Sequence, residues 1–226
     1  MIEFRQNNDS EVETIAAAIA RFETALQAQH PHNLVIDMRM NGGGDMTTTR
    51  AFMERLPSLV PGRIFVLTSP WTFSAAIAAT GYVKQAAPDR VTIVGEALGD
   101  RLVFFAEGRN VELPHSHVVL RYSTERHDFT TGCRPYTDCN AYIARYPLTV
   151  ESLAPDIEAA WTIDAYAAGH DPEWRLLRRR SIMLLSRGLS HGHDARWSRV
   201  YAERPVSWPA RLWSFLMLWT APNRRR

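Results

Sequence analysis

Two apolar patterns alternate along the first 95 positions. Val12, Ile15, Ile19, Phe22 and Leu26 recur at steps of three and four residues, the spacing of one buried face of an amphipathic helix. Ser10, followed three residues later by Glu13, matches a capping box and predicts the helix start there. A short strand is expected before it at residues 2–5. After Pro31 the run Leu34, Val35, Ile36 is continuously apolar, as in a strand covered on both faces of a parallel sheet. The order then repeats. Asp45 is expected to cap a helix reaching about Leu56, with Pro57 and Pro61-Gly62 breaking it. Residues 63–68 give a second buried strand, residues 74–87 a helix beginning at Ser74, and residues 91–94 a third strand. Strand and helix alternating over short links predict an α/β domain with a mainly parallel sheet.

Further along, residues 103–105, 111–113 and 118–122 read as short strands, and residues 163–168 and Pro172 to about Leu185 as helical. The stretch 123–146 has no period and is expected to be a long loop.

Charge divides the chain. The net formal charge is +2. From Arg175 onward, 12 Arg stand against Asp194 and Glu203, giving +10, so residues 1–174 carry +2 minus +10, or −8. An acidic core over 1–174 and a basic, Trp-rich tail over 175–226 are therefore expected. The tail holds Arg178, Arg179 and Arg180, His191-Gly192-His193, and Trp197, Trp208, Trp213 and Trp219. A His-x-His pair offers two ligands where a tight site needs three or four, so no metal is assigned. The apolar run 212–219 is shorter than the roughly 20 residues that span a bilayer, so no transmembrane segment is expected. The tail can contact an anionic membrane surface, an acidic partner or nucleic acid, or simply pack against the acidic core. Cys133 and Cys139 are expected to be ordinary thiols, with a loop disulfide as the alternative. No basic, then apolar, leader opens the chain, so no export signal is expected in it; the compartment stays open.

Two segments carry candidate chemistry. Gly42-Gly43-Gly44 directly follows a buried strand, where bare N–H groups can hold an anion or an oxyanion; a plain tight turn is the alternative. It is followed by no Gly-Lys-Ser/Thr and lacks the Gly-x-Gly-x-x-Gly spacing, so neither a nucleotide nor another cofactor is expected. Ser74 opens a helix after the 63–68 strand. There it is either an N-cap or a nucleophile in the positive end of the helix dipole.

Taken together, residues 33–45 (Asn-Leu-Val-Ile-Asp-Met-Arg-Met-Asn-Gly-Gly-Gly-Asp), Val66-Leu67-Thr68 through Ser74-Ala75-Ala76, Val94-Gly95-Glu96, Pro155-Asp156-Ile157, and Asp164 through Gly169-His170-Asp171-Pro172 resemble the C-terminal processing (tail-specific) serine peptidases and their tricorn-like relatives. The resemblance covers roughly residues 1 to 178. It implies a Clp-protease/crotonase-like spiral of strands and helices acting on polypeptides. Ser74 would be the nucleophile, and the Ala75 N–H with that of Gly42 or Gly43 would form the oxyanion hole.

The general base is where the chain departs from that pattern. The lysine branch places its base in Gly-Lys-Gly, whereas this chain reads Gly99-Asp100-Arg101. The one lysine, Lys84, lies ten residues beyond Ser74, about 15 Å along a helix. The acid that usually follows the nucleophile is replaced by Ile77. In the tricorn-like branch a histidine precedes the core and a late glutamate orients it. Glu151 is the nearest match for the glutamate, and the histidine would come from an N-terminal segment or another subunit. His127, in the irregular stretch, is the internal candidate base, its alternative being a solvated surface residue. The resemblance thus implies a peptidase core whose base is missing or supplied from elsewhere, or an inactive peptide-binding module of the same fold. A crotonase-like acyl-transfer enzyme is a third reading. Relatives often work outside the cytoplasm.

Overall fold

The computed structural model of the 226-residue chain describes residues 1–134 and 137–178. The chain divides into two compact units, Met1–Ala160 and Trp161–Arg226.

The first unit is built on a five-stranded sheet of β1 (Ile2–Glu3), β2 (Leu34–Asp37), β3 (Ile64–Thr68), β4 (Val91–Gly95) and β9 (Ile157–Glu158), in that spatial order. All four pairings are parallel, with Ile36 opposite Val66 and Val66 opposite Ile93 at the centre. The first four strands lie in chain order, so each crossover steps the same way. The right-handed rule then brings α1 (Ile15–Gln29), α2 (Arg50–Leu59) and α3 (Ala75–Ala86) to one face. There α1 packs on α2 and α2 on α3. Ile36, Val66 and Ile93 join Phe52, Met53, Leu56, Ala79, Tyr82 and Val83 in one core. Burying such side chains contributes roughly 1.5–3 kcal/mol each before chain entropy is set against it.

Helix starts differ from the expected ones. Thr14, not Ser10, caps α1, its side chain accepting the Ala17 amide. Ser10 instead closes a local turn with Glu13, its Oγ accepting Glu13 N at 3.0 Å. Val12, outside the helix, is 94% exposed. The short Ser10–Glu13 spacing suits either motif, and the Asp9 carboxylate settles it by accepting Ile15 N at 2.8 Å. Likewise Asp45 caps a turn through Thr47 N (2.8 Å) and α2 begins only at Arg50. Pro57 sits inside α2 rather than ending it. The Arg90 guanidinium collects the carbonyls at that helix end, Pro57 O at 2.8 Å and Val60 O at 2.8 Å among them.

The stretch expected as a loop is ordered by a partner from earlier in the chain. β8 (Glu125–Asp128) pairs antiparallel with β5 (Val103–Ala106), placing Phe104 opposite His127. Beyond Glu107–Gly108 the same arm continues as β6 (Arg109–Glu112) and β7 (Val119–Tyr122), both exposed throughout. α4 (Ala141–Arg145) follows, capped by Asn140. Cys133 and Cys139 form a disulfide, overturning the expectation of thiols. The backbone bonds Cys133 N to Asp128 O and Asn140 N to Arg126 O bring both cysteines alongside β8, a proximity that spacing alone does not give.

In the second unit, Thr162 caps α5 (Ile163–Ala167), Trp161 Nε1 donates to Glu173 Oε1 at 3.1 Å, and residues 172–178 are helical. The charge boundary after Trp174 lies within this unit. The tail features from Arg179 onward lie outside the described residues. No helix among the described residues is long and apolar enough to cross a membrane.

Candidate active site

Three loops leave the carboxyl edge of the sheet side by side: residues 38–44 after β2, 69–74 after β3 and 96–101 after β4. Parallel strands gather these ends at the edge where α/β sheets generally carry their ligands. The first two loops are stitched together. Thr72 Oγ1 donates to Met38 O at 3.0 Å, Ser69 Oγ to Arg39 O at 2.6 Å and Phe73 N to Asn41 O at 3.1 Å. Gly99 N, donating to Thr72 O at 3.0 Å, ties the third loop to the second. At the root of the first loop Arg39 grips Asp37 with two bonds, 2.9 Å to Oδ1 and 2.6 Å to Oδ2, a geometry that fixes direction as well as distance.

Ser74 stands at the start of α3 with φ 54° and ψ −119°. Residues with a Cβ rarely adopt this conformation, and holding one there costs about 1–3 kcal/mol. A serine serving as an N-cap has extended backbone and accepts a helix amide through Oγ. Ser74 does neither, so the capping reading does not describe it. The backbone bonds Ala76 N to Phe73 O, Ile77 N to Ser74 O and Ala78 N to Ser74 O occupy the next amides. The Ala75 N–H is left without an acceptor among the described residues.

The glycine turn lies directly against this corner. A Cβ built on Gly43, whose φ is +108°, would come within 2.7 Å of Ser74 Cβ and 3.2 Å of Ala75 N. Only a bare Cα allows the two loops to approach so closely. The Gly43 N–H donates to Asn41 Oδ1 at 3.0 Å and is therefore engaged. Gly42 is exposed, has open space around its Cα, and its amide has no acceptor among the described residues. Asn41, fully buried, links both sides, its side chain holding Gly43 and its carbonyl holding Phe73.

His127 is not a solvated loop residue. It lies in β8, 1% exposed, with both ring nitrogens lacking a hydrogen-bond partner. Desolvation holds its pKa below the ordinary value, an effect that the charges of Glu107 and Glu125 oppose. The Phe104 ring touches both Phe73 (5.4 Å between centroids) and His127 (5.1 Å). No hydrogen bond joins Ser74 Oγ to His127 or to any other described side chain.

Glu151 is exposed and belongs to the opposite edge of the sheet. Two residues earlier, Thr149 N donates to Gln85 at the far end of α3, and five residues later Asp156 accepts Ile93 N in mid-strand. Lys84 is engaged at that far end too, donating to Val91 O at 2.7 Å and to Asp156 at 3.1 Å. The structure thus brings together Ser74, Ala75, Gly42 and Gly43, whereas neither His127 nor Glu151 is hydrogen-bonded to Ser74.

Sequence reasoning passed over Asn41 and Phe104. An Asn two residues before a glycine that accepts its amide is an Asx turn, a signal that was present. Phe104 had none, because its contact with Phe73 depends on where the arm folds.

No protein-family model and no curated protein sequence matches the chain. Solved structures do. A candidate peptidase from Parabacteroides merdae superposes with a TM-score of 0.50 at 17% identity, covering 84% of this chain and 62% of that one. The tricorn protease superposes with a TM-score of 0.50 at 16% identity, covering 82% of this chain and 18% of its own. The chain therefore has the α/β fold of these peptidases. It spans about three fifths of the first and under a fifth of the second.

Proposed function

We propose that residues 1–160 form the nucleophile-bearing core of a serine-type peptidase. The observation that carries the reading is Ser74 itself: a helix-opening serine with positive φ, released from capping and pressed against a glycine turn. In a peptidase, Ser74 Oγ attacks a peptide carbonyl to form a tetrahedral intermediate, the amine leaves with a proton, and water hydrolyses the resulting ester. The Ala75 N–H receives the developing oxyanion, and of the two glycine amides that of Gly42 is the available partner. Each such donor typically stabilises the transition state by about 3 kcal/mol.

A base must take the Ser74 proton. No described side chain is hydrogen-bonded to Ser74 Oγ, so in this reading the base is supplied by residues outside those described or by another subunit. The test is covalent labelling by a fluorophosphonate, with peptide cleavage compared between wild type and Ser74→Ala. Cleavage that survives in Ser74→Ala removes the reading.

The absence of a described base partner for Ser74 favours a second reading, an inactive peptide-binding module of the same fold. Saturable peptide binding, indifferent to Ser74→Ala and accompanied by neither labelling nor turnover, distinguishes it. Contact of the basic segment 175–226 with an anionic surface is a separate proposal that rests on charge alone.

A further inference from the structure

We propose that Asn7 is a positioning residue for the reaction at Ser74, acting from the N-terminal segment through Thr49 to hold the glycine turn in place. The inference rests on the reading of Ser74 as nucleophile.

Asn7 follows β1 and is fully buried. Outside any regular strand it forms a parallel bridge with Gly44. Its N–H donates to Gly43 O at 2.8 Å, and its carbonyl accepts Asp45 N at 3.1 Å and Thr48 Oγ1 at 3.3 Å. The neighbouring Asn8 Oδ1 also accepts Asp45 N, at 3.0 Å. The far side of the glycine turn is thus zipped to residues 7 and 8, while its near side faces Ser74 and Ala75.

The side chain anchors this zipper. Asn7 Nδ2 donates to Thr49 Oγ1 at 2.8 Å, a bond buried at both ends. Thr49 is the residue immediately before α2 and makes no side-chain cap bond to its own helix, so its hydroxyl serves as the acceptor for Asn7. The Oδ1 atom of Asn7 is buried with no partner. Reversing the amide would leave the nitrogen unpartnered instead, so this side chain is half-satisfied either way. Leaving a buried polar atom unpaired is unfavourable, and such atoms concentrate where a position serves something other than stability.

A triple-glycine turn has little conformational preference of its own. Contacts from both sides must therefore hold it, and Asn41 supplies only the inner one. Freed from Asn7, the turn samples other conformations and the Gly42 amide drifts from the oxyanion position. A displacement of about 1 Å at such a site costs up to about a hundredfold in rate.

The experiment measures fluorophosphonate inactivation of the full chain, separated into probe affinity and the first-order labelling rate at Ser74. It compares wild type, Asn7→Ala, Thr49→Val and Thr49→Ser, each with its melting temperature. The expected result is a labelling rate lowered about tenfold or more in Asn7→Ala and Thr49→Val, with probe affinity unchanged. Thr49→Ser, which keeps the acceptor, restores the rate. Should Asn7→Ala fail to fold, the Thr49 pair decides. If wild type labels and both Asn7→Ala and Thr49→Val label as fast, the positioning role is wrong while the peptidase reading stands. If wild type itself does not label at Ser74, the peptidase reading falls and takes this inference with it.

Discussion

A Cβ added to Gly43 would sit 2.7 Å from the Cβ of Ser74. Gly43→Ala must therefore push the two loops apart and also place a side chain at φ +108°, at a cost of about 1–3 kcal/mol. Gly42, one position earlier, has open space around its Cα. The expectation is that Gly43→Ala loses thermal stability and Ser74 labelling together, whereas Gly42→Ala melts close to wild type. Calorimetry on the two variants checks the contrast.

Ser74 stores strain, and its backbone angles, φ 54° and ψ −119°, suit glycine better than any residue with a side chain. Ser74→Gly is expected to be more stable than Ser74→Ala by about 1 kcal/mol, although both lack the hydroxyl. Equal denaturation midpoints for the pair would show that the corner carries no strain.

His127 gives the fold a pH dependence. Burial holds its pKa below the ordinary 6.5, so the unfolded chain binds a proton at a higher pH than the folded chain does. Stability is then complete above about 6.5 and is lost as the pH falls from there towards the lower folded value. His127→Phe, flanked by Phe104 and Phe129, removes this term. Urea midpoints between pH 7 and pH 5 are expected to fall more steeply in wild type than in the variant. Parallel profiles would rule out a buried neutral His127 as the source.

The disulfide joins cysteines six positions apart. Closing so short a loop restricts the unfolded chain by about 2 kcal/mol. Reduction by a dithiol, or the double change Cys133→Ser and Cys139→Ser, is expected to lower the unfolding free energy by that amount, read as a fall in the urea midpoint. An unchanged midpoint would mean that Cys133 and Cys139 keep their places beside β8 by the neighbouring backbone bonds alone.

How far the sequence could be read follows from the range of the forces involved. The runs at Leu34–Ile36, residues 63–68 and residues 91–94 announced three buried strands because burial on both faces leaves no room for polar residues. The helix faces between them announced parallel crossovers. The helix starts at Thr14 and Arg50 were misplaced because Ser10 and Asp45 make local turns with the same side-chain atoms that a cap would use. β8 and the burial of His127 stayed hidden because residues 125–128 carry no apolar period and are ordered by β5, about twenty residues away.

At the site, the sequence by itself determined the materials: three glycines after one strand, a serine opening the helix after the next, and a parallel order that sends both to the same edge. Only the tertiary structure decided that Ser74 has positive φ and no capping role, that Asn41 occupies the Gly43 amide and leaves that of Gly42 free, and that Asn7 closes the turn from behind. It also buried His127 against Phe104 and left Glu151 exposed. The physical reason is that periodicity and propensity are properties of neighbouring residues, whereas a backbone angle held against its preference and hydrogen bonds across 30 and 42 positions exist only once distant segments have packed.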